Sequence, residues 1–414
     1  MQDNTVPQSL PAIAVSRRLS RTTVFALSVA GTTLFGLVLR LVMLKDVIGH
    51  IDEPASLLAV KRVAELGYPG YPSGLLYLQG AFFSYVAAPL TWFFDDSELL
   101  TAARLLYLGI AISVIPLSMM LVHGVTESFS LALFAGILVA CDPNLIFWGV
   151  TIRPYGMITS CVVALVFLFV LLVREGPGAR LPLGSVVSWI PVLVAVGTFT
   201  HIGFLLAYPP IAISAISIWK GALRSTHRPI LVSGVLSLLP PLAFYVLGRS
   251  NGGGGTGEGA LGGSIIGGHL FGIFKSNGSP DLRWSLWTDN FSEGVLFAVI
   301  PSVIALASGV LIYALLSPHH FTNRWSEQTV GVVVFVHWFV ILAVTLLVVS
   351  DFEPRYLTQV LPLGYILLSF AVWSLWDLAK VHSAMTARLM RMGVVLLLVL
   401  PALIQTSTAT NWRL

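Results

Sequence analysis

Charge is the first thing this chain lacks. Of its 414 residues only 10% are Asp, Glu, Lys or Arg, while 56% are hydrophobic. A soluble domain carries about 25% charged residues. A water-facing surface cannot be built from so few, so the composition excludes an ordinary soluble fold and points to a polytopic membrane protein. Cysteine is nearly absent. Cys141 and Cys161 both lie in apolar segments, which leaves neither a disulfide framework nor a zinc spacing. A strong excess of one sign is also missing, with 23 basic against 19 acidic residues, so there is no footprint of a nucleic-acid binder. No cleavable signal peptide is evident. Polar residues 1–16 precede Arg17-Arg18-Leu19-Ser20-Arg21, and the apolar run that follows is too long for a leader. Internal repeats of the kind that build many transporters are absent as well.

What the chain has instead is a series of long apolar runs and a mean hydropathy of +0.87. Residues 22–44 are long enough to cross ~30 Å of hydrocarbon. The arginines before them place the N-terminus on the cytoplasmic side. Further spans are expected at 99–122, 129–148, 156–173, 229–248, 295–316, 330–350, 356–376 and 392–409. The run 185–219 would be ~52 Å as one helix, too long for a single crossing. It is therefore divided at 197–203 into two short spans. Residues 249–294, with Gly252-Gly253-Gly254-Gly255, Gly262-Gly263, Trp284 and Trp287, read as a long outer loop. That loop is either a lid over a membrane-edge cavity or a plain linker. The whole is expected to be one all-α, membrane-embedded domain over 1–414, with about eleven transmembrane helices oriented by the positive-inside rule.

The chain is organised around Ile48-Gly49-His50-Ile51-Asp52-Glu53-Pro54 and its continuation to Tyr77. Two adjacent carboxylates there follow the first span at a membrane edge, where acidic groups are costly and seldom serve packing alone. Residues 53–66 read as an interfacial helix, because Leu57, Leu58, Val60 and Ala64 interleave with Lys61, Arg62 and Glu65. Pro54 suits its first turn, with Asp52 or Glu53 as cap. Residues 75–94 are apolar enough to span. A crossing there would put the basic residues Lys220, Arg224 and Arg228, and Lys380, Arg388 and Arg391, outside. The segment is therefore expected to be a second interfacial or re-entrant helix.

Under this topology four polar clusters reach the outer face: Asp52/Glu53; Asp142 with Arg153 and Tyr155; His201; and Asp351/Glu353/Arg355/Tyr356. Each has a plain alternative. Asp142 can cap the turn before Pro143. Arg104 can snorkel or pair with Asp95 or Asp96. Arg355 can anchor a helix at the interface, and His201 can be a hydrogen-bonded turn residue. Arg40, the lone mid-span charge candidate, lies toward the outer end of its span. Four clusters on one side nonetheless suggest a site.

Five short stretches carry a family resemblance: Asp52-Glu53; Tyr71-Pro72-Ser73-Gly74-Leu75-Leu76-Tyr77; Ala103-Arg104-Leu105; Asp142-Pro143-Asn144 through Arg153-Pro154-Tyr155; and Pro354-Arg355-Tyr356-Leu357 followed by Pro362. In order and spacing the chain resembles the class C integral-membrane glycosyltransferases, the group of protein O-mannosyltransferases and lipid A aminoarabinose transferases. The second stretch looks like that family's proline turn, with Ser73 in place of its second proline and Tyr71 in the region of its histidine. The resemblance implies inverting transfer of a sugar from a polyprenyl-phosphate donor to a hydroxyl of a glycan, lipid or protein acceptor. It also implies an outward-facing site, expected here in a bacterial inner or plasma membrane.

In that reading Asp52 is the general base, with Glu53 beside it as the second catalytic carboxylate. Arg355 and then Arg153 hold the leaving phosphate by bidentate contacts. Tyr71, Arg104, Asp142, Tyr155, His201 and Tyr356 complete the substrate contacts. No cofactor is certain. A divalent metal on His201, Glu53 and Asp142 is left open, because nothing in the spacing demands one. The rival reading is a transporter or flippase of lipid-linked glycans. It needs the same arginines for phosphate but no base.

Overall fold

The computed structural model describes residues 20–46, 52–72, 76–78, 80–174, 183–212, 224–250 and 358–379, and every element named in them is helical. The 249–294 loop beyond Ser250, the cluster Asp351/Glu353/Arg355/Tyr356, and the spans expected at 295–316, 330–350 and 392–409 lie outside the described residues.

Helix α1 (Arg21–Asp46) starts at Ser20, whose hydroxyl accepts from Thr23 N. Leu27, Leu34, Phe35, Val38 and Val42 lie exposed along it, which suits a helix facing lipid. Helix α2 (Glu53–Leu66) has the bounds expected from its sequence. Glu53, Ser56, Val60 and Val63 form its buried face at helical spacing. It stops at Gly67, where φ is +80° and the N–H returns to Val63 O. A residue with a Cβ would be strained there.

Residues 75–94 do not make a span. Helix α3 (Ala81–Ala87) runs into a 3₁₀ turn (Ala88–Trp92), and together they reach ~20 Å against ~30 Å of hydrocarbon. Helices α4 (Asp96–Ala111) and α5 (Val114–Thr126) then form one apolar stretch of 31 residues. The span expected at 129–148 is broken. Helix α6 (Phe129–Cys141) and helix α7 (Pro143–Val150) meet at a 58° bend. Helices α8 (Tyr155–Arg174) and α9 (Leu183–Thr200) follow. At His201 the chain leaves the helix and enters a 3₁₀ turn (Ile202–Ala207), so the division of 185–219 falls where the glycines suggested. Helices α10 (Arg224–Ser250) and α11 (Leu361–Ala379) complete the described fold. Among the described residues three helices are long and apolar enough to cross a membrane, or four with the bent pair counted as one.

The contacts fix which helix ends lie together. Phe25, near the start of α1, stacks on His123, near the end of α5, with centroids 4.0 Å apart. The opposite end of α1 leads to α2, whose Glu53 meets Arg104 of α4. Helices α2 and α3 therefore stay at one end of the bundle, and α5 returns to the other. Ser160 Oγ donates to Ala111 O and Met157 N to Tyr107 Oη, so α8 runs parallel to α4. Tyr155 at the start of α8 lies beside His201 at the end of α9, with centroids 5.5 Å apart.

Candidate active site

The site grows from the first turn of α2. Asp52 is its cap residue by position, but φ −91° and ψ −5° are helical values and its side chain makes no capping bond. The carboxylate goes elsewhere: Oδ2 lies 2.9 Å from Arg153 Nη2. Glu53, one residue on, is buried. Its Oε1 accepts from Arg104 Nε at 3.0 Å and from Ile152 N at 2.8 Å, and its Oε2 accepts from Arg104 Nη2. Two neighbouring carboxylates thus clamp two neighbouring residues, 152 and 153, of the turn joining α7 to α8. Glu53 ties in α4 as well.

The turn is itself tight. Arg153 N donates to Thr151 O at 2.7 Å. Gly156 behind it is packed so closely that a Cβ would stand 2.8 Å from Trp148 O. The Asp52 side chain is 40% exposed, whereas those of Glu53 and Arg153 are 2% and 10% exposed. One carboxylate of the pair is open to solvent, and the other is walled in.

The loop after α2 closes over the same corner. Tyr77 N donates to Pro69 O at 2.7 Å, and a bridge pairs Gly70 with Leu76. Tyr77 Oη shares a 2.8 Å hydrogen bond with Ser56 of α2, and Tyr71 sits edge-on to its ring. Burial pushes the Tyr77 phenol above its ordinary value; the Ser56 bond and the field of Arg153 pull it back, and Asp52 raises it further. The phenol is therefore a neutral hydrogen-bonding group that feels both members of the Asp52–Arg153 pair.

His201 is buried, and its Nδ1 accepts from Gly203 N at 2.8 Å, which makes it a turn-forming residue with its ring against Tyr155. Tyr155 in turn meets Trp148 of α7 edge-on.

Asp52, Glu53, Arg104, Arg153, Tyr155 and His201 are thus gathered at one end of the bundle, with Tyr71 in the loop alongside. Asp142 is used differently. Its Oδ1 caps α7 by accepting from Leu145 N at 2.8 Å, and its Oδ2 accepts from Tyr365 Oη of α11. Arg355 and Tyr356 lie outside the described residues. No three His, Cys, Asp or Glu side chains converge as a metal site among the described residues, and the oxygens of Glu53 and Asp142 are engaged as above. His201, Glu53 and Asp142, which the sequence left open as metal ligands, form no such group among the described residues.

Several partners were not anticipated. Arg104 pairs with Glu53, while Asp96 goes to Lys61 at 2.7 Å. Ser56–Tyr77 and Asp142–Tyr365 join residues with no local signature. Arg40 is 1% exposed and donates through Nη1 to Gly36 O and Ala140 O. It caps the end of α6 at the break, a use that its place inside a span hinted at without naming a partner.

No family model and no curated protein matches this chain. Solved structures do match, among them two crystal structures of ArnT from Cupriavidus metallidurans. The apo form is 14% identical over 94% of this chain and 71% of that one, with a TM-score of 0.51. The form bound to undecaprenyl phosphate is 15% identical over 94% and 72%, with a TM-score of 0.53. The chain has an ArnT-like helical membrane fold.

Proposed function

We propose that this protein is a glycosyltransferase that moves a sugar from a polyprenyl-phosphate donor to an acceptor hydroxyl at the outer membrane face. The observation carrying this reading is Asp52: a carboxylate at the first helix after the first span, open to 40%, released from capping and set against a buried arginine. The shared fold with a protein that binds undecaprenyl phosphate supports the lipid-linked class of donor.

In the step proposed, the acceptor O–H gives its proton to Asp52 while its oxygen attacks the anomeric carbon from the face opposite the phosphate. The bond from that carbon to the phosphate oxygen breaks with its electron pair on oxygen, so a lipid phosphate leaves and the configuration inverts. Arg153, with Arg355 from its sequence context, balances the growing phosphate charge. Glu53 is assigned to positioning, because its oxygens hold Arg104 and the 151–154 turn. Tyr71, Tyr155, His201 and Tyr356 are proposed to shape the substrate cleft.

The test is transfer from a labelled polyprenyl-phosphate sugar, with host envelope extract as the acceptor pool. Asp52→Asn should fold normally, since Asn keeps the shape and the site is not a cap. Its transfer should fall by roughly 10²–10⁴, the usual worth of a positioned base. Transfer within a few-fold of wild type would remove Asp52 from the chemistry. A flippase would make no glycosidic bond in any variant.

A further inference from the structure

We infer that Arg153 is a shared guanidinium, bound to Asp52 in the resting protein and taken over by the lipid phosphate when it arrives, so that donor binding itself frees the base. The inference rests on the glycosyl-transfer reading and adds to it an order of events.

Four observations support the exchange. The two acid–arginine pairs of this corner are built differently. Arg104 grips Glu53 with two nitrogens, and Ile152 N adds a third donor to the same carboxylate. Arg153 meets Asp52 through Nη2, at 2.9 Å from Oδ2, and its Nε takes no part in the pair. Second, Arg153 Nε is buried with no hydrogen-bond partner among the described residues. A stranded donor of this kind is costly, and an acceptor that reached it would recover the cost. Third, Asp52 is open enough to move off the arginine, which Glu53 is not. Fourth, the backbone beneath Arg153 is held by Ile152 N on Glu53 and Arg153 N on Thr151 O. The guanidinium can change partner while its anchor stays.

Chemistry gives the exchange a direction. A sugar-bearing lipid phosphate is a diester with one negative charge. As the bond to the sugar breaks, the leaving monoester gains charge and becomes a stronger rival for the guanidinium. The arginine then binds the late state better than the early one, which is where binding accelerates a reaction. An acceptor activated before the donor arrived would have no partner, and the resting ion pair prevents that.

Competition is measurable without turnover. Undecaprenyl phosphate binding would be titrated on the full chain in detergent for wild type, Asp52→Asn, Arg153→Gln and the double variant. Asp96→Asn, which removes an exposed carboxylate paired with Lys61, serves as the charge control. If the resting pair is closed about nine-tenths of the time, Asp52→Asn should tighten binding ~10-fold. Arg153→Gln should weaken it, the gain from Asp52→Asn should vanish in the Arg153→Gln background, and Asp96→Asn should bind like wild type. Arg153→Met is the alternative background if Arg153→Gln does not fold.

A gain from Asp52→Asn that survives loss of Arg153 would mean simple repulsion and would overturn the exchange. Unchanged binding in Asp52→Asn would do the same. In both cases continued transfer by wild type leaves the parent reading standing. No binding by any form would overturn both.

Discussion

Asp52 and Glu53 are adjacent in sequence and meet opposite surroundings. The helix turns 100° between them, so one carboxylate points to the open side of the corner and the other into the junction of α2, α4 and the 151–154 turn. A buried, two-pronged ion pair contributes little net stability over an apolar pair, but breaking one half leaves a bare charge. Arg104→Met should therefore destabilise the protein by about 3–5 kcal/mol, because the buried Glu53 carboxylate loses the guanidinium that pairs with it. Glu53→Gln together with Arg104→Met should cost clearly less than Arg104→Met alone. Thermal unfolding in detergent reads the difference. A double variant as damaged as the single would mean that Glu53 serves more than this junction. The pairing could not be read from sequence: Glu53 and Arg104 are 51 residues apart, and the nearer acids Asp95 and Asp96 were the natural guess. The same holds for Ser56–Tyr77 and for Asp142–Tyr365, which join positions 223 residues apart. Such contacts exist only once helices pack.

Elements were more legible where a local rule decides them. The bounds of α2 follow from Pro54 in its first turn, its amphipathic spacing and Gly67 at its end. The break in 185–219 follows from length and glycine. Hydropathy runs smoothly through the bend between α6 and α7, so 129–148 reads as one span even though Asp142 is a candidate cap before Pro143. The signal of the bend lies there, since Asp142-Pro143 is an N-cap followed by proline at the first helical position. The turn that follows α7 rests on Gly156, and this position carries a test. A methyl group there would lie 2.8 Å from Trp148 O and 3.1 Å from Ala111 Cβ, so α7 and α8 must separate slightly. Gly156→Ala should cost about 1–3 kcal/mol, the usual penalty of overpacking, and should displace Arg153 with the turn. Binding of undecaprenyl phosphate should weaken along with the melting temperature. A stability loss with unchanged binding would show that the turn does not set Arg153.

At the scale of the molecule, two kinds of information combine. The contacts decide which helix ends share a face, and basic residues decide which face is which. Asp52, Arg153, Tyr155 and His201 share one end through the pairings Asp52–Arg153 and Tyr155–His201. Ser97 belongs to that end, one residue after Asp96, whose carboxylate meets Lys61 of α2. Ser225 belongs to the other. Ser233 Oγ of α10 donates to Val187 O near the start of α9, far along that helix from His201, and Ser225 lies eight residues further back. None of this depends on a membrane. The sign is our proposal from Arg17, Arg18 and Arg21, before and at the first residue of α1, which the positive-inside rule would keep in the cytoplasm. In a background with Cys141 and Cys161 replaced by alanine, Ser97→Cys should react with an impermeant thiol reagent applied to intact cells. Ser225→Cys should react only after permeabilisation. Both labelled from outside would break the packing argument, since the two would share a face. Ser225→Cys alone labelled from outside would keep the packing and invert the molecule, placing Asp52 and its arginine on the cytoplasmic face, where a donor delivered to the outer leaflet could not reach them.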